Sequence, residues 1–222
     1  PERFAYRITQ LLIGLFIFGI GVAFLIRTDL GASSWDVLTQ GISHHLPLSF
    51  GTITVIMSGI VLLLWIPLRQ KPGIGTISNA LLVGPAVDVG LYVIPEVETM
   101  WIRVSFIAIG ILLMGFATGL YIGSRFGPGP RDGLMTGLNR ITGRPIWQVR
   151  VTLELTVVVL GWMLGGIVGV GTVAAAILIG PACQYFMRIF YIPLSTDPEP
   201  NIVATTSAKE QAPSRAEEVP TF

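Results

Sequence analysis

The chain has 222 residues, a mean hydropathy of +0.72, 52% hydrophobic residues and 12% charged ones, about half the charge of a soluble domain. A formal net charge of +1 offers no basic footprint for nucleic acid, and Cys183 as the one cysteine excludes an intrachain disulfide or a cysteine metal cluster. Composition therefore points to lipid and to an all-α integral membrane protein.

In chain order, Arg3 and Arg7 precede an apolar run at 11–26. This arrangement imitates a signal peptide, but no small-residue cleavage site follows, so the run is expected as a retained span. A short amphipathic segment (33–45) comes next, then apolar runs at 51–68 and 75–94. The order repeats with a run at 106–122, a short segment at 129–141, and runs at 147–167 and 171–192. Residues 195–222 carry five of the 13 acids and are rich in Pro, Ser, Thr and Ala. They have no apolar periodicity and are expected to be a disordered cytoplasmic tail.

Sliding the chain along itself by 96 residues aligns the two halves without a gap: seven glycines coincide, among them Gly31 with Gly127 and Gly73 with Gly169. Chance predicts about two such coincidences. Gly84-Pro85 also meets Gly180-Pro181, and Asp36 meets Asp132. The expected organisation is a first membrane repeat at 1–97 and a second at 98–194, each with three spans and a short re-entrant or interfacial helix. Three is odd, so the second repeat enters from the opposite face.

The charges agree. With the N-terminus cytoplasmic, twelve of the 14 Lys and Arg residues fall inside, and Arg27 and Arg103 fall outside. The expectation is six transmembrane helices with both termini cytoplasmic.

Ser33-Ser34-Trp35-Asp36 reads as a capping box, with Ser33 at the cap and Asp36 three residues on. Its counterpart, Gly129-Pro130-Arg131-Asp132, places Pro130 at the favoured first helical position. The plain reading is that both acids cap short helices. The functional reading is that two half-helix N-termini approach the midplane from opposite sides and favour an anionic group there, with Arg131 adding to the attraction.

Gly84-Pro85 and Gly180-Pro181 sit within the third and sixth spans, where proline removes an amide from the helix ladder. A kink or break is expected at each. Asp88 lies one turn beyond Gly84, and Asn79 lies before it. An acid in an apolar run is costly, so it faces a cavity, pairs with a base or stays protonated. Glu154 is the other intramembrane acid, at helical spacing from Arg150, and either a local pair or a proton or cation site is expected there.

His44 and His45 are adjacent and make a poor metal pair. P-loop, GxSxG and HExxH motifs are absent, and no catalytic constellation, metal site or cofactor is implied.

The stretch Leu30-Gly31 through Trp35-Asp36-Val37-Leu38 with Gly41 resembles the YczE/YyaS group of YitT-like bacterial membrane proteins. So do Lys71-Pro72-Gly73-Ile74-Gly75-Thr76 with Asn79, and the stretch from Gly127 to Met135. Glu154 with Gly161-Trp162 and Gly165-Gly166 completes a likeness over residues 5–192. The resemblance implies a polytopic protein of the bacterial inner membrane and supplies no substrate.

These features lead to the expectation of a small secondary transporter or exporter of a small solute. Its site would be lined by Asp36, Asn79, Asp88, Arg131, Asp132 and Glu154. The rivals are a channel, whose kind places the re-entrant piece after the second span with an Asn-Pro-Ala cap that this sequence lacks, and a membrane accessory protein supporting a biosynthetic partner. An enzyme is disfavoured for want of a nucleophile with a base.

Overall fold

The structure is a computed structural model that describes residues 4–190; the expected tail (195–222) lies outside the described residues. All regular elements among them are helices: α1 (Phe4–Ile26), α2 (Ser34–Ser43), α3 (Phe50–Trp65), α4 (Ile74–Val93), α5 (Met100–Gly123), α6 (Pro130–Thr142), α7 (Ile146–Met163) and α8 (Val170–Phe190).

α1, α4, α5, α7 and α8 are long and apolar enough to cross a membrane. The sixth expected span falls short, because α3 has 16 residues and rises about 24 Å at 1.5 Å per residue. It ends at Trp65, two residues before Pro67, whose nitrogen cannot extend the hydrogen-bond ladder.

α1 and α5 form the centre and run antiparallel. Near one end Arg7 Nε donates to the Ser124 carbonyl at 2.9 Å and Gln10 Nε2 to the Leu120 carbonyl at 3.0 Å. Near the other end Phe24 and Phe106 meet edge to face, with ring centres 4.9 Å apart. Leu11, Leu15, Val22 and Leu25 interlock with Ile107, Ile111 and Met114 to form the core.

α4 flanks α1 and α8 flanks α5 through small residues, which let backbones approach closely where lipid leaves packing as the main attraction. A Cβ placed on Gly19 would stand 2.5 Å from the Ala86 Cβ; one on Gly115 would stand 2.5 Å from the Ala182 Cβ. Both residues of the second contact are those of the first advanced by 96.

The loops repeat the same offset. Gly75 donates to the Phe126 carbonyl at 3.0 Å, and Gly171 donates to the Leu30 carbonyl at 2.8 Å. Gly31 and Gly127 hold φ values of 104° and 118°, a region open to glycine. The Asp29 and Arg125 backbones also lie at positive φ, 51° and 59°.

One pairing is not reproduced. α3 packs along α4, with the Gly51 carbonyl set directly against Gly84. α7 makes no comparable packing with α8, and Gly180, the equivalent of Gly84, has open space beside it.

Candidate functional site

The short helices α2 and α6 set the site. Ser33 has the extended backbone of an N-cap, yet its hydroxyl does not cap an amide. It donates instead to the Asp36 carboxylate, which corrects the capping-box expectation. A hydroxyl that donates to a carboxylate makes a charge-assisted bond, stronger than one between neutral groups. On α6, Gly129 is the N-cap and Pro130 opens the first turn. Trp65 Nε1 donates to the Pro130 carbonyl at 3.0 Å, and the Thr76 hydroxyl to the Pro128 carbonyl at 2.7 Å. These two bonds, from the ends of α3 and α4, fix where α6 begins.

With both helices so placed, their N-termini meet. Arg131 Nη2 stands 3.5 Å from Asp36 Oδ1, and the Arg131 guanidinium carbon lies 5.3 Å from the centre of the Trp35 ring. The Asp36 side chain is 2% exposed, so this is a pair largely removed from solvent. Asp132, one residue on, accepts from the Tyr121 hydroxyl at 3.2 Å. It lies in the first turn of α6.

A cavity of about 370 Å³ opens beside this junction and continues between α5, α6, α7 and α8. Its polar lining includes Arg131, Asp132, Arg150, Glu154, Asn79 and Tyr121; Met114, Met135 and Met187 are among its apolar lining. Arg150 Nε donates to Glu154 Oε1 at 2.9 Å across one helical turn, so the local pair exists and both members also face the cavity. Asn79, Arg131, Asp132 and Glu154 thus gather at one site, with Asp36 behind Arg131.

Asp88 does not join them. Its carboxylate accepts from the Ser49 hydroxyl at 2.6 Å and from the Gly51 amide at 2.8 Å. Those groups belong to the start of α3, where first-turn amides lack partners within the helix. The expected helix breaks are also absent as breaks. α4 and α8 run as single helices through Pro85 and Pro181, as membrane helices can when neighbours accommodate the lost amide.

Sequence reasoning missed Tyr121, Arg150 as a cavity residue, and Gln184, which also lines the cavity. Tyr121 carries a faint signal, as a hydroxyl near the end of an otherwise apolar span. Among the described residues no group of His, Cys, Asp and Glu could hold a metal ion.

A model of a family of unknown function, DUF6198, matches residues 5–188. The chain belongs to the DUF6198 family. It is 38% identical over 182 residues to an uncharacterized protein of Haemophilus influenzae, covering 82% of this chain and 84% of the relative. It is 31% identical over 181 residues to the uncharacterized membrane protein YczE of Bacillus subtilis, covering 81% and 84%. Bacillus subtilis YyaS is 28% identical over 181 residues, covering 80% and 90%. These relatives bear out the resemblance read from the motifs. No solved structure matches the chain. With a membrane protein among its relatives and five apolar helices of spanning length, this DUF6198 protein is a multi-pass membrane protein.

Proposed function

We propose that this protein is a small secondary transporter or exporter, not an enzyme, that moves a small solute with an anionic group by alternating access between two inverted halves. One observation carries the reading: a cavity of about 370 Å³, apolar over most of its wall but lined by Arg131, Asp132, Arg150 and Glu154, lies where the N-termini of α2 and α6 meet beside Arg131. First-turn amides of the two helices supply partial positive charge. Arg131 adds a full charge and a rigid fork of donors suited to carboxylate or phosphate. The methionines suit the solute's carbon skeleton.

α2 has ten residues and rises about 15 Å, half the roughly 30 Å hydrocarbon core. A helix of that length fits one that begins near the midplane and returns to the face it came from. The contacts recurring at the 96-residue offset support two related halves, with α3 as the short second span. The arginine bias supports cytoplasmic termini in the bacterial cell membrane. Glu154, facing the cavity from α7, is the candidate for proton coupling.

The test is solute exchange in liposomes holding the purified protein, run against a panel of small anionic metabolites. Saturable exchange of one chemical class is the expected result. A folded, reconstituted protein that exchanges none of the panel would sink the transport reading and favour an accessory role.

A further inference from the structure

The cavity has an internal symmetry. Part of its wall is built from equivalent pairs 96 positions apart: Trp35 with Arg131, Thr54 with Arg150, and Ser58 with Glu154. A space lined by both members of each pair lies on the axis relating the halves. Another part of the lining is one-sided. Asp132, Gly180, Cys183 and Gln184 face the cavity, and their equivalents Asp36, Gly84, Val87 and Asp88 do not.

Of those equivalents Asp36, Gly84 and Val87 are buried, and Asp88 is half-buried. Asp36 is 1% exposed and Val87 0%. Gly84 abuts the Gly51 carbonyl, and Asp88 is bonded to Ser49 and Gly51. A Cβ on Gly180 would meet nothing within 4 Å outside its own helix turn. The same seam is shut in one half, between α3 and α4, and parted in the other, between α7 and α8.

From this asymmetry, and resting on the transport reading, we infer that the central site has two access routes related by the 96-residue offset. The structure holds the α7–α8 route open and the α3–α4 route shut, and transport exchanges the two packings. In the exchanged state Gln184 takes the place of Asp88, its side-chain oxygen accepting from the first-turn amide of Trp147, the equivalent of Gly51. A charged acceptor holds one seam and a neutral one serves the other. Charged acceptors make the stronger bonds, so the resting chain favours the state observed.

The test places cysteines at Val151 and Gly180 in the full chain carrying Cys183→Ala, in native membranes. Their equivalents are Val55 and Gly84, where a Cβ on Gly84 would stand 2.8 Å from Val55 Cγ2. Oxidation is expected to link the pair. Once linked, Val87→Cys should react with an impermeant thiol reagent from the face opposite the present opening, where the unlinked protein does not react. Asp88→Asn, which weakens the closed seam, should speed the linking several-fold. No link, a linked protein with Val87→Cys still protected, or a rate unmoved by Asp88→Asn would each overturn the exchange. Linking needs no solute. Its failure beside measurable flux leaves transport standing, and linking without flux of any solute overturns the transport reading alone.

Discussion

Arg131 and Trp35 occupy equivalent positions in the two halves, 96 residues apart, and they touch: the guanidinium carbon lies 5.3 Å from the ring centre. The junction of α2 and α6 is thus a near-symmetric contact made chemically unequal by one substitution. A cation faces an aromatic plane where two like residues would otherwise meet. Such a contact is worth about 0.5–2 kcal/mol, more when water is excluded.

Arg131→Lys keeps the charge and loses the planar fork and the stacking. Solute exchange is expected to fall about tenfold, the equivalent of about 1.4 kcal/mol, at unchanged membrane abundance. Arg144→Lys, on an exposed turn, is expected to match the parent protein. Arg140 is a poor control, because its Nη2 donates to the Leu68 carbonyl at 2.7 Å. Parent-level exchange by Arg131→Lys would reduce Arg131 to a topological anchor.

Asp36→Asn removes the carboxylate that faces Arg131 and leaves the guanidinium without its charged partner. Breaking a buried pair from one side costs on the order of 3 kcal/mol. A clear drop in the thermal midpoint of the detergent-purified protein should follow. An unchanged midpoint would mean that the pair at 3.5 Å adds nothing to stability.

What could be read in the sequence and what could not divides by range. Helical runs and the offset between the halves are local or periodic, and the structure places helices on each expected run. α1 includes Phe4 to Gln10, ahead of the apolar run, where Arg7 and Gln10 find carbonyls at the far ends of α5 and α8, partners no window on the sequence contains. Asp88 was legible as an acid in an apolar run, but its partners lie 37 and 39 residues away. Pro85 and Pro181 looked like breaks because a lone helix pays the full loss of an amide, whereas a packed membrane helix does not. The cavity itself gathers residues from most of the helices, a convergence that spacing does not encode.

Three glycines at positive φ give a graded stability test. A Cβ on Gly31 would stand 2.4 Å from Thr172 Oγ1, one on Gly127 would stand 3.2 Å from Thr76 Oγ1, and Gly143 has nothing within 4 Å. Gly143→Ala should show the backbone cost alone, about 1–2 kcal/mol. Gly127→Ala should cost somewhat more and Gly31→Ala most, read as thermal midpoints in detergent. An order with Gly143→Ala worst would contradict the loop packing.

Opposite insertion of the halves has a direct readout. In a Cys183→Ala background, Leu46→Cys between α2 and α3 and Arg144→Cys between α6 and α7 should react with an impermeant thiol reagent from opposite sides of intact cells. Leu46→Cys should react from outside. Reaction of both from one side would require a parallel arrangement of the halves.

Asp88 and Glu154, both intramembrane acids in the sequence, should part company when neutralised. Asp88 ties α4 to the start of α3 through two bonds, and hydrogen bonds to a charged group contribute about 1.5–3 kcal/mol each. Asp88→Asn keeps a weaker acceptor and so should lower the thermal midpoint. Glu154 pairs with Arg150 across one turn of α7, and a local pair at that helical spacing contributes about 0.5 kcal/mol or less. Glu154→Gln should leave the midpoint nearly unchanged while altering how solute exchange varies with pH, because the acid facing the cavity can no longer carry a proton. A destabilised Glu154→Gln with parent-like pH dependence would return Glu154 to a structural role and leave Asp132 as the remaining acid able to couple the cavity to protons.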